Sequence, residues 1–301
     1  MSLFETASGL AVRCLSRERL VALRTRYLSV RSKLHPVMRA VYGTFDTVAL
    51  REHLEQRIGG DFEILMVHSS VNNMQPMYTG SPLDFVQMLM SFCGPDRTLA
   101  MPAFYFGDPA IGGADETFAR NPRFDLRRTP SQMGLATELF RRSRGVVQSR
   151  HPVYRLAALG PLAKELTKGH ERAETASGLG TPFDFMTARN TRILGIGKRY
   201  EVLTHVHHAE DVMGAEFPVP RNTGGVLSMT LVDGVEEIPF QLKQHSLLWR
   251  RNMWKLGKIM GREALQEWEF HHVPLFATRA ADVTRALITA AKQGITLYEK
   301  R

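Results

Sequence analysis

The chain has 301 residues, of which 44% are hydrophobic and 23% are charged. This length and composition are ordinary for a soluble globular protein with one large or two small domains. No apolar run approaches the roughly 20 residues that a membrane-spanning helix needs. The arginine-rich start also lacks a signal-peptide pattern. The composition therefore excludes a membrane-spanning protein and predicts a cytoplasmic location.

The net charge of +9 is unevenly distributed. Residues 1–40 hold eight basic residues against two acidic ones. Residues 2–28 predict a basic amphipathic helix, so we expect a helical extension over 1–45 and a separate domain over 46–301. The extension is suited to an acidic membrane surface or a partner protein, or is simply a solvated helix face. No nucleic-acid-binding signature occurs, and nucleic acid is not expected as a partner.

Helical and extended patterns alternate along residues 46–301. Helices are expected over 46–58, 82–93, 133–142, most of 245–267, and 280–292. Strands are expected over 62–67, 98–102, 154–159, 192–197 and 270–276, with a long loop over 104–130. Asp233-Gly234 predicts a hairpin between 226–232 and 235–240, and Pro239 would put the second strand at a sheet edge. The alternation predicts a layered α/β fold, to whose mixed sheet the hairpin adds antiparallel strands.

Three imidazoles and two carboxylates lie within residues 205–211 (HVHHAED). On a helix, His207 and Glu210 share one face. Apolar neighbours indicate that this face points inward, and His205 and His208 lie at its sides. A carboxylate beside an imidazole raises its basicity and favours proton transfer. A metal site is the alternative, but HExxH order and a third ligand at fixed spacing are missing. No metal is therefore expected.

Two further segments carry chemistry-bearing residues. His151 precedes Pro152, which favours an extended conformation and a side chain that projects from a loop. His68, Ser69 and Ser70 follow a predicted buried strand, and ligands bind at the carboxyl ends of such strands. An ordinary packed loop histidine and an ordinary strand-to-loop turn are the alternatives. The P-loop and nucleophile-elbow motifs are missing from the sequence.

The order of these motifs resembles the aminoglycoside 3-N-acetyltransferase family, whose members use acetyl-CoA. The matching stretches are 60–61 (GD), 66–70 (MVHSS), 98–103 (TLAMPA), 124–125 (FD), 129–134 (TPSQMG), 149–152 (SRHP), 157–160 (AALG), 180–182 (GTP), 193–197 (ILGIG) and 207–210 (HHAE). Together they span about residues 46–293. The resemblance implies a three-layer α/β/α fold with a mixed β-sheet.

The resemblance also implies functional residues. The residues that it places at CoA are His68, Ser69, Ser70, Val71, Ser131, Met133 and Gly134. It assigns catalysis to His151 and Glu210, with His207 one helical turn before the glutamate.

These observations predict a CoA-dependent N-acyltransferase, with acetyl-CoA as the co-substrate. The acceptor is expected to be an amine of an amino sugar or small metabolite. His151, oriented or assisted by Glu210, would be the general base for direct transfer. Four arginines near the end of the long loop suit the anionic CoA or an anionic acceptor, such as a nucleotide-linked amino sugar; they are Arg120, Arg123, Arg127 and Arg128.

Two other functions remain open from the sequence. One is a metal-dependent hydrolase built on the 205–210 cluster. The other is a non-catalytic scaffold protein with a degenerate acyltransferase core. The sequence also leaves open whether the chain forms a homodimer.

Overall fold

The computed structural model describes residues 33–247 and 249–299. A boundary between two compact units falls between Thr44 and Phe45. The described part of the first unit contains helix α1 (His35–Tyr42), which has Pro36 in its first turn and ends at Gly43. Residues 1–32 lie outside the described residues. The helix expected over 2–28 and the extension over 1–45 therefore stay predictions.

The second unit, Phe45–Arg301, alternates helices and strands. Its helices are α2 (Thr47–Ile58), α3 (Val71–Met74), α4 (Pro82–Cys93), α5 (Ala114–Arg120), α6 (Leu135–Arg141), α7 (Ala163–Thr167), α8 (Pro182–Thr187), α9 (Val206–Met213), α10 (Lys255–Ala264) and α11 (Ala280–Lys292). Its strands are β1 (Ile64–Ser69), β2 (Thr98–Pro102), β3 (Arg123–Asp125), β4 (Val147–Gln148), β5 (Leu156–Leu159), β6 (Thr191–Ile196), β7 (Arg221–Asp233), β8 (Glu236–Leu247), β9 (Arg250–Arg251), β10 (Leu265–Phe270), β11 (Val273–Arg279) and β12 (Tyr298–Glu299).

Seven strands form one mixed sheet in the order β10-β11-β6-β1-β2-β5-β4. The three central strands are parallel, and each of the outer four runs antiparallel to its inner neighbour. The central strand β1 is buried on both faces, as a sheet covered by helices on both sides requires. Ile64 and Met66 lie in the same buried cluster as residues of α8, α9 and α11. Helices α2 and α4 pack against each other and contribute no residue to that cluster. The predicted three-layer α/β/α fold with a mixed sheet is confirmed.

The predicted hairpin forms, but its place in the fold differs from the prediction. Strands β7 and β8 are longer than expected and pair antiparallel around Asp233-Gly234. They join β3 in a separate sheet of order β3-β7-β8, which leaves Pro239 on the edge strand as predicted. This small sheet has its own core, which includes Phe118, Leu231 and Phe240. Burying that core explains why the hairpin does not extend the large sheet.

Two other predicted segments are also corrected. The supposed loop 104–130 contains helix α5 and strand β3. The supposed helical stretch 245–267 begins within β8, contains α10 and ends in β10. Strand β10 pairs with β11 through a turn at His271 and His272, which have φ of 48° and 61°. This pairing overrides the helix-favouring composition of LQEWEF.

The sheet positions several of the predicted site residues. The carboxyl ends of β1, β2 and β6 lie at one edge, because these strands are parallel. Ser69 ends β1, and Gly197 and Lys198 follow β6 at the same edge. Within the described part of the chain, none of the helices is both long and apolar enough to cross a bilayer.

Candidate active site

Backbone amides fix the orientation of His151. Its Nδ1 accepts hydrogen bonds from the backbone N–H groups of Val153 (3.1 Å) and Tyr154 (2.9 Å). These residues lie in the segment between β4 and β5, where Pro152 directly follows His151. An N–H group can only donate, so Nδ1 carries no proton. A neutral His151 therefore bears its proton on Nε2 and presents a donor there.

The surroundings of His151 keep it neutral. The side chain is buried, and its ring lies 4.7 Å from the ring of His170 and 5.3 Å, edge-on, from that of Phe240. Burial and the neighbouring His170 hold the pKa of His151 well below its ordinary value. A base would need an unprotonated Nε2, and the two amide donors oppose the tautomer that provides it. The hydrogen bonds therefore favour a donor at Nε2 over the general base predicted for His151, whose catalytic role stays a prediction.

His170 supports His151 and was not predicted from the sequence. Its Nε2 lies 2.8 Å from the carbonyl oxygen of Ala176, and its Nδ1 lies 2.9 Å from Oγ of Ser149. The carbonyl can only accept, so Nε2 carries the proton and Ser149 donates to Nδ1. Burial lowers the pKa of His170 to about 4. A neutral ring, fixed at both nitrogens, therefore packs against the catalytic candidate.

Glu210 is held by a different set of partners. It lies on α9 and is buried. The Nη2 of Arg251 donates to both carboxylate oxygens, at 3.0 and 2.7 Å, and the Tyr298 hydroxyl donates to Oε2 at 2.9 Å. Backbone amides, rather than Glu210, occupy Nδ1 of His151, and the predicted assistance of His151 by Glu210 stays a prediction.

Arg251 and Tyr298 come from two short strands that pair side by side. They are direct partners in the β9–β12 ladder, and Arg251 Nε also donates to the Tyr298 hydroxyl at 3.0 Å. Burial lowers the pKa of Arg251, but Glu210 and Tyr298 more than offset this, so that pKa is raised. Burial and Glu210 raise the pKa of Tyr298. Both side chains therefore keep their protons and donate to the carboxylate.

His207 extends this network. Its Nδ1 is 3.9 Å from Glu210 Oε2, and its ring nitrogens are 3.1 and 3.2 Å from the guanidinium nitrogens of Arg251. Its ring also packs edge-on against Tyr154, at 5.4 Å between centroids. Tyr154 therefore links the network of Glu210 to the turn that holds His151.

The remaining histidines of the 205–210 cluster are structural. His205 and His208 are almost fully buried, and so they do not flank an inward face as predicted. Nε2 of His205 lies 2.9 Å from Oγ1 of Thr187, and Nδ1 of His208 lies 2.6 Å from the carbonyl oxygen of Ser177. The histidine side chains of this cluster therefore contact separate partners rather than one shared position. Across residues 33–247 and 249–299, no group of three His, Cys, Asp or Glu side chains converges on a metal position.

The catalytic candidates share one cavity, which we call the histidine cavity, with a volume of about 250 Å³. It is lined by Ala114, Asp115, His151, Val153, Tyr154, Thr175, Ala176, Ser177, His207, Glu210, Asp211, Leu242, Lys243 and Arg251. The structure thus brings His151, from the segment between β4 and β5, together with His207 and Glu210 of α9. Three carboxylates and two cations line the same space.

Most of the predicted CoA residues share a second cavity, the serine cavity, of about 240 Å³. It is lined by Ser69, Ser70, Val71, Asn72, Pro82, Gln132, Met133, Gly134, Leu135, Ala136 and Lys198. A smaller space of about 150 Å³ shares Ser69, Gln132, Met133 and Lys198 with it and contains His68. Ser131 lines neither; its hydroxyl accepts from the Met133 N–H at 3.1 Å and shapes the turn.

Buried polar atoms face the space around the serine cavity. Ser69 Oγ and both ring nitrogens of His68 are buried and have no hydrogen-bond partner among the described residues. Burial lowers the pKa of His68 to about 4, so its ring is neutral. Buried polar groups are normally satisfied, and groups left without a partner beside a cavity are suited to a ligand.

Phe104 joins the two cavities. Its ring lies 4.9 Å from the ring of Tyr154, which lines the histidine cavity. Its carbonyl accepts from the backbone N–H of Gln132, at 2.9 Å, and Gln132 lines the serine cavity. One loop after β2 therefore contacts the walls of both spaces.

Comparison with known proteins gives one consistent result. Residues 66–291 match the family model for aminoglycoside 3-N-acetyltransferase. An aminoglycoside N(3)-acetyltransferase III from Salmonella sp is 29% identical over 62% of this chain and 70% of its own length. An aminoglycoside N(3)-acetyltransferase VII from Streptomyces paromomycinus is 30% identical over 52% of this chain and 57% of its own.

Solved structures share the fold. Aminoglycoside acetyltransferase AAC(3)-Xa superposes with a TM-score of 0.71 at 20% identity, covering 88% of this chain and 99% of that one. AAC-IIIb bound to CoASH gives a TM-score of 0.67 at 19% identity, over 84% and 98% of the two chains. Sisomicin-bound AAC-VIa also gives 0.67, at 20% identity, over 84% and 100%.

Proposed function

Because this chain belongs to the aminoglycoside 3-N-acetyltransferase family, we propose that it transfers the acetyl group of acetyl-CoA to an amine of an amino sugar. The observation that carries the proposal is the histidine cavity, where His151, His207 and Glu210 meet beside a second cavity formed by the CoA-related motifs. Relatives named for the same reaction, and a family structure with bound CoASH, support both substrates.

The serine cavity is the proposed site of acetyl-CoA. Ser69, Ser70, Val71, Met133 and Gly134 line it, and Lys198 adds a positive charge that suits an anionic co-substrate. The unpartnered atoms of His68 and Ser69 would receive the polar groups of the pantetheine arm. The thioester would then reach the histidine cavity past Phe104.

The histidine cavity is the proposed site of the acceptor amine. Asp115, Glu210 and Asp211 line it, and carboxylates attract an ammonium group. Asp211 is fixed there by Ser177, whose backbone N–H and hydroxyl donate to it at 3.0 and 2.6 Å. This arrangement favours a cationic sugar amine over a neutral alcohol.

The proposed reaction is direct transfer. The ammonium loses a proton to the His207–Glu210 pair, and the amine nitrogen attacks the thioester carbonyl carbon. The Nε2–H of His151 donates to the oxygen that gains negative charge, as donors in an oxyanion hole do. Attack forms the N–C bond and a tetrahedral intermediate, whose collapse breaks the C–S bond. The nitrogen then loses its second proton, which the departing thiolate takes up, and the first proton passes from the His207–Glu210 pair to solvent, which leaves CoASH and an N-acetylated sugar.

A thiol-release assay tests this function. Purified chain is mixed with acetyl-CoA and with sisomicin, gentamicin, a nucleotide-linked amino sugar or a simple alkylamine. Release of CoASH that depends on an amino sugar supports the proposal, and the preferred acceptor identifies the substrate class. A non-catalytic scaffold predicts no release with any amine, and a metal-dependent hydrolase predicts chelator-sensitive release without an amine.

A further inference from the structure

A cavity of about 910 Å³ shares no lining residue with either proposed substrate site and is strongly basic. It lies among the end of α6, strand β4, helix α7 and the β7–β8 turn, and we call it the basic cleft. Its lining includes seven cationic residues, which are Arg127, Arg141, Arg142, Arg150, Lys164, Lys168 and Arg172. Only two acidic residues, Glu171 and Asp233, line it with them.

The acidic groups near the cleft are already shared between arginines. Asp233 accepts from Arg127 Nε at 2.8 Å and from Arg150 Nη2 at 3.0 Å. Outside the lining, Glu138 accepts from both Arg141 and Arg142 at 2.6 Å. Glu236 also accepts from Arg150, and Glu171 lies 3.8 Å from Arg172, so four carboxylates pair with five of the seven cations and an excess of positive charge remains at the cleft.

Two lysines carry that excess most directly. Lys164 lies on α7 and Lys168 directly follows it, four positions later, so they share one helix face. Both are exposed, and neither has an acidic partner within ion-pair distance in residues 33–247 and 249–299. Leaving such charges together is unfavourable unless an anion neutralises them.

The cleft also has an apolar wall. Leu126, Val146 and Val147 line it beside the cations. A volume of about 910 Å³ is far larger than a single inorganic phosphate needs. Cations contributed by several separate elements, together with apolar contacts, match a ligand that joins more than one phosphate to a sugar and a base.

We propose that the basic cleft binds the phosphate groups of a nucleoside diphosphate unit. The molecule that carries this unit is a nucleotide-linked amino sugar, which rests on the proposed acetyl transfer and would give the predicted anionic acceptor a binding site. The ADP portion of acetyl-CoA is not the proposed occupant, because the cleft shares none of the residues Ser69, Ser70, Met133 and Gly134 that line the proposed acetyl-CoA site.

Direct binding of ADP tests the cleft without relying on catalysis. Titration of the full chain with ADP, followed by calorimetry at low salt, is expected to show saturable binding that weakens as salt rises. The double variant Lys164→Gln/Lys168→Gln should weaken it by about tenfold, because two charge-assisted contacts are lost. Lys258→Gln/Lys292→Gln is the matched control, since it removes the same charge from exposed helical positions outside the cleft.

Kinetics then test the acceptor. ADP should compete with a nucleotide-linked amino sugar, and the Lys164/Lys168 variant should raise KM for that acceptor but leave KM for acetyl-CoA unchanged. A raised KM for acetyl-CoA but not for S-acetylpantetheine, which lacks the nucleotide, would assign the cleft to the co-substrate and overturn this proposal. Lack of saturable ADP binding, or equal weakening in both double variants, would overturn the cleft while leaving the acetyltransferase proposal intact.

Discussion

The backbone N–H of Tyr154 donates to Nδ1 of His151 at 2.9 Å. Val153 donates to the same atom, so this nitrogen is an acceptor in the folded protein. Tyr154 also packs edge-on against the ring of His207, at 5.4 Å. Tyr154 therefore fixes the tautomer of His151 together with Val153, and its ring also packs against the imidazole of His207.

Replacement of His151 by an amide side chain, glutamine or asparagine, distinguishes a hydrogen-bond donor from a general base. The side-chain amide of His151→Gln reaches the position of Nε2 and can still donate, but it cannot take up a proton. We expect it to retain kcat within about tenfold of wild type, whereas His151→Ala loses about 10²- to 10³-fold. Steady-state thiol release with a saturating amine measures both values.

The matched control is His151→Asn, whose shorter amide reaches the position of Nδ1 instead. It should behave like the alanine variant because its donor no longer reaches the cavity. If His151→Gln is as inactive as His151→Ala while both remain folded, His151 is a proton acceptor and the donor assignment is wrong.

Removal of Arg251 should strongly destabilise the protein. Arg251→Gln leaves the buried Glu210 carboxylate without its cation, and the loss of one partner of a buried ion pair costs about 3–5 kcal/mol. Arg250→Gln is the control, because the same charge is removed from the exposed neighbour on β9. Urea unfolding measures the free energy of unfolding of both variants. Equal, small losses of the free energy of unfolding in both variants would contradict the stabilisation of Glu210 by Arg251.

Gly197 should be required for acetyl-CoA binding. Its φ is +67°, and a Cβ atom there would lie 2.5 Å from the carbonyl oxygen of Ser70, on the turn that lines the serine cavity. Gly197→Ala should therefore displace that turn and weaken acetyl-CoA binding by about tenfold or more, since both strain and overlap oppose it. Calorimetric titration with acetyl-CoA provides the measurement.

The control for Gly197 is Gly94→Ala. Gly94 has a similar φ of +64°, but a Cβ atom there meets nothing within 4 Å. It carries the backbone strain without the overlap and does not line the serine cavity. If Gly197→Ala binds acetyl-CoA as tightly as wild type does, the turn at Ser70 is not part of the acetyl-CoA site.

Stability should fall in mild acid because buried histidines resist protonation. Burial lowers the pKa of His68 and of His170 to about 4, from an ordinary value of 6.5. Below pH 6.5 the unfolded chain binds these protons and the folded chain does not. Their stabilising contribution is therefore complete above pH 6.5 and is progressively lost as pH falls to about 4.

His170→Gln isolates one of these groups. The free energy of unfolding of the variant should fall less steeply between pH 6.5 and 4, because the unfolded variant binds up to one proton fewer than the unfolded wild type. Urea unfolding at half-unit steps of pH, compared with wild type, measures the slope. An identical slope in the variant would mean that His170 titrates normally in the folded protein.

The sequence predicts the parts of the fold that local patterns determine. Helices such as Pro82–Cys93 and Ala280–Lys292 match their predicted bounds, because caps and apolar periodicity specify them. Strand β10 was missed because its pairing with β11, rather than its composition, decides its structure. The second sheet was missed because β3 joins β7 across about a hundred residues.

The site was predicted to a similar extent. Motifs located His151, Glu210 and the serine turn, since each lies in a compact pattern of the chain. Arg251 and Tyr298 carry no local signal; they reach Glu210 only because β9 and β12 pair. His170 was also missed, because its contact with His151 depends on the fold of the segment between them. The sequence could not predict the tautomer of His151, because the positions of two backbone amides determine it.

Transfer of an acetyl group to an amino sugar is the central claim, and mass spectrometry of the acceptor tests it most directly. Purified chain, acetyl-CoA and each member of the amine panel are incubated with wild type and with His151→Ala. We expect one amino sugar to gain the mass of one acetyl group with wild type and to gain almost none with the variant. The claim would be contradicted by a panel that stays unacetylated, or by a His151→Ala enzyme that acetylates as fast as wild type.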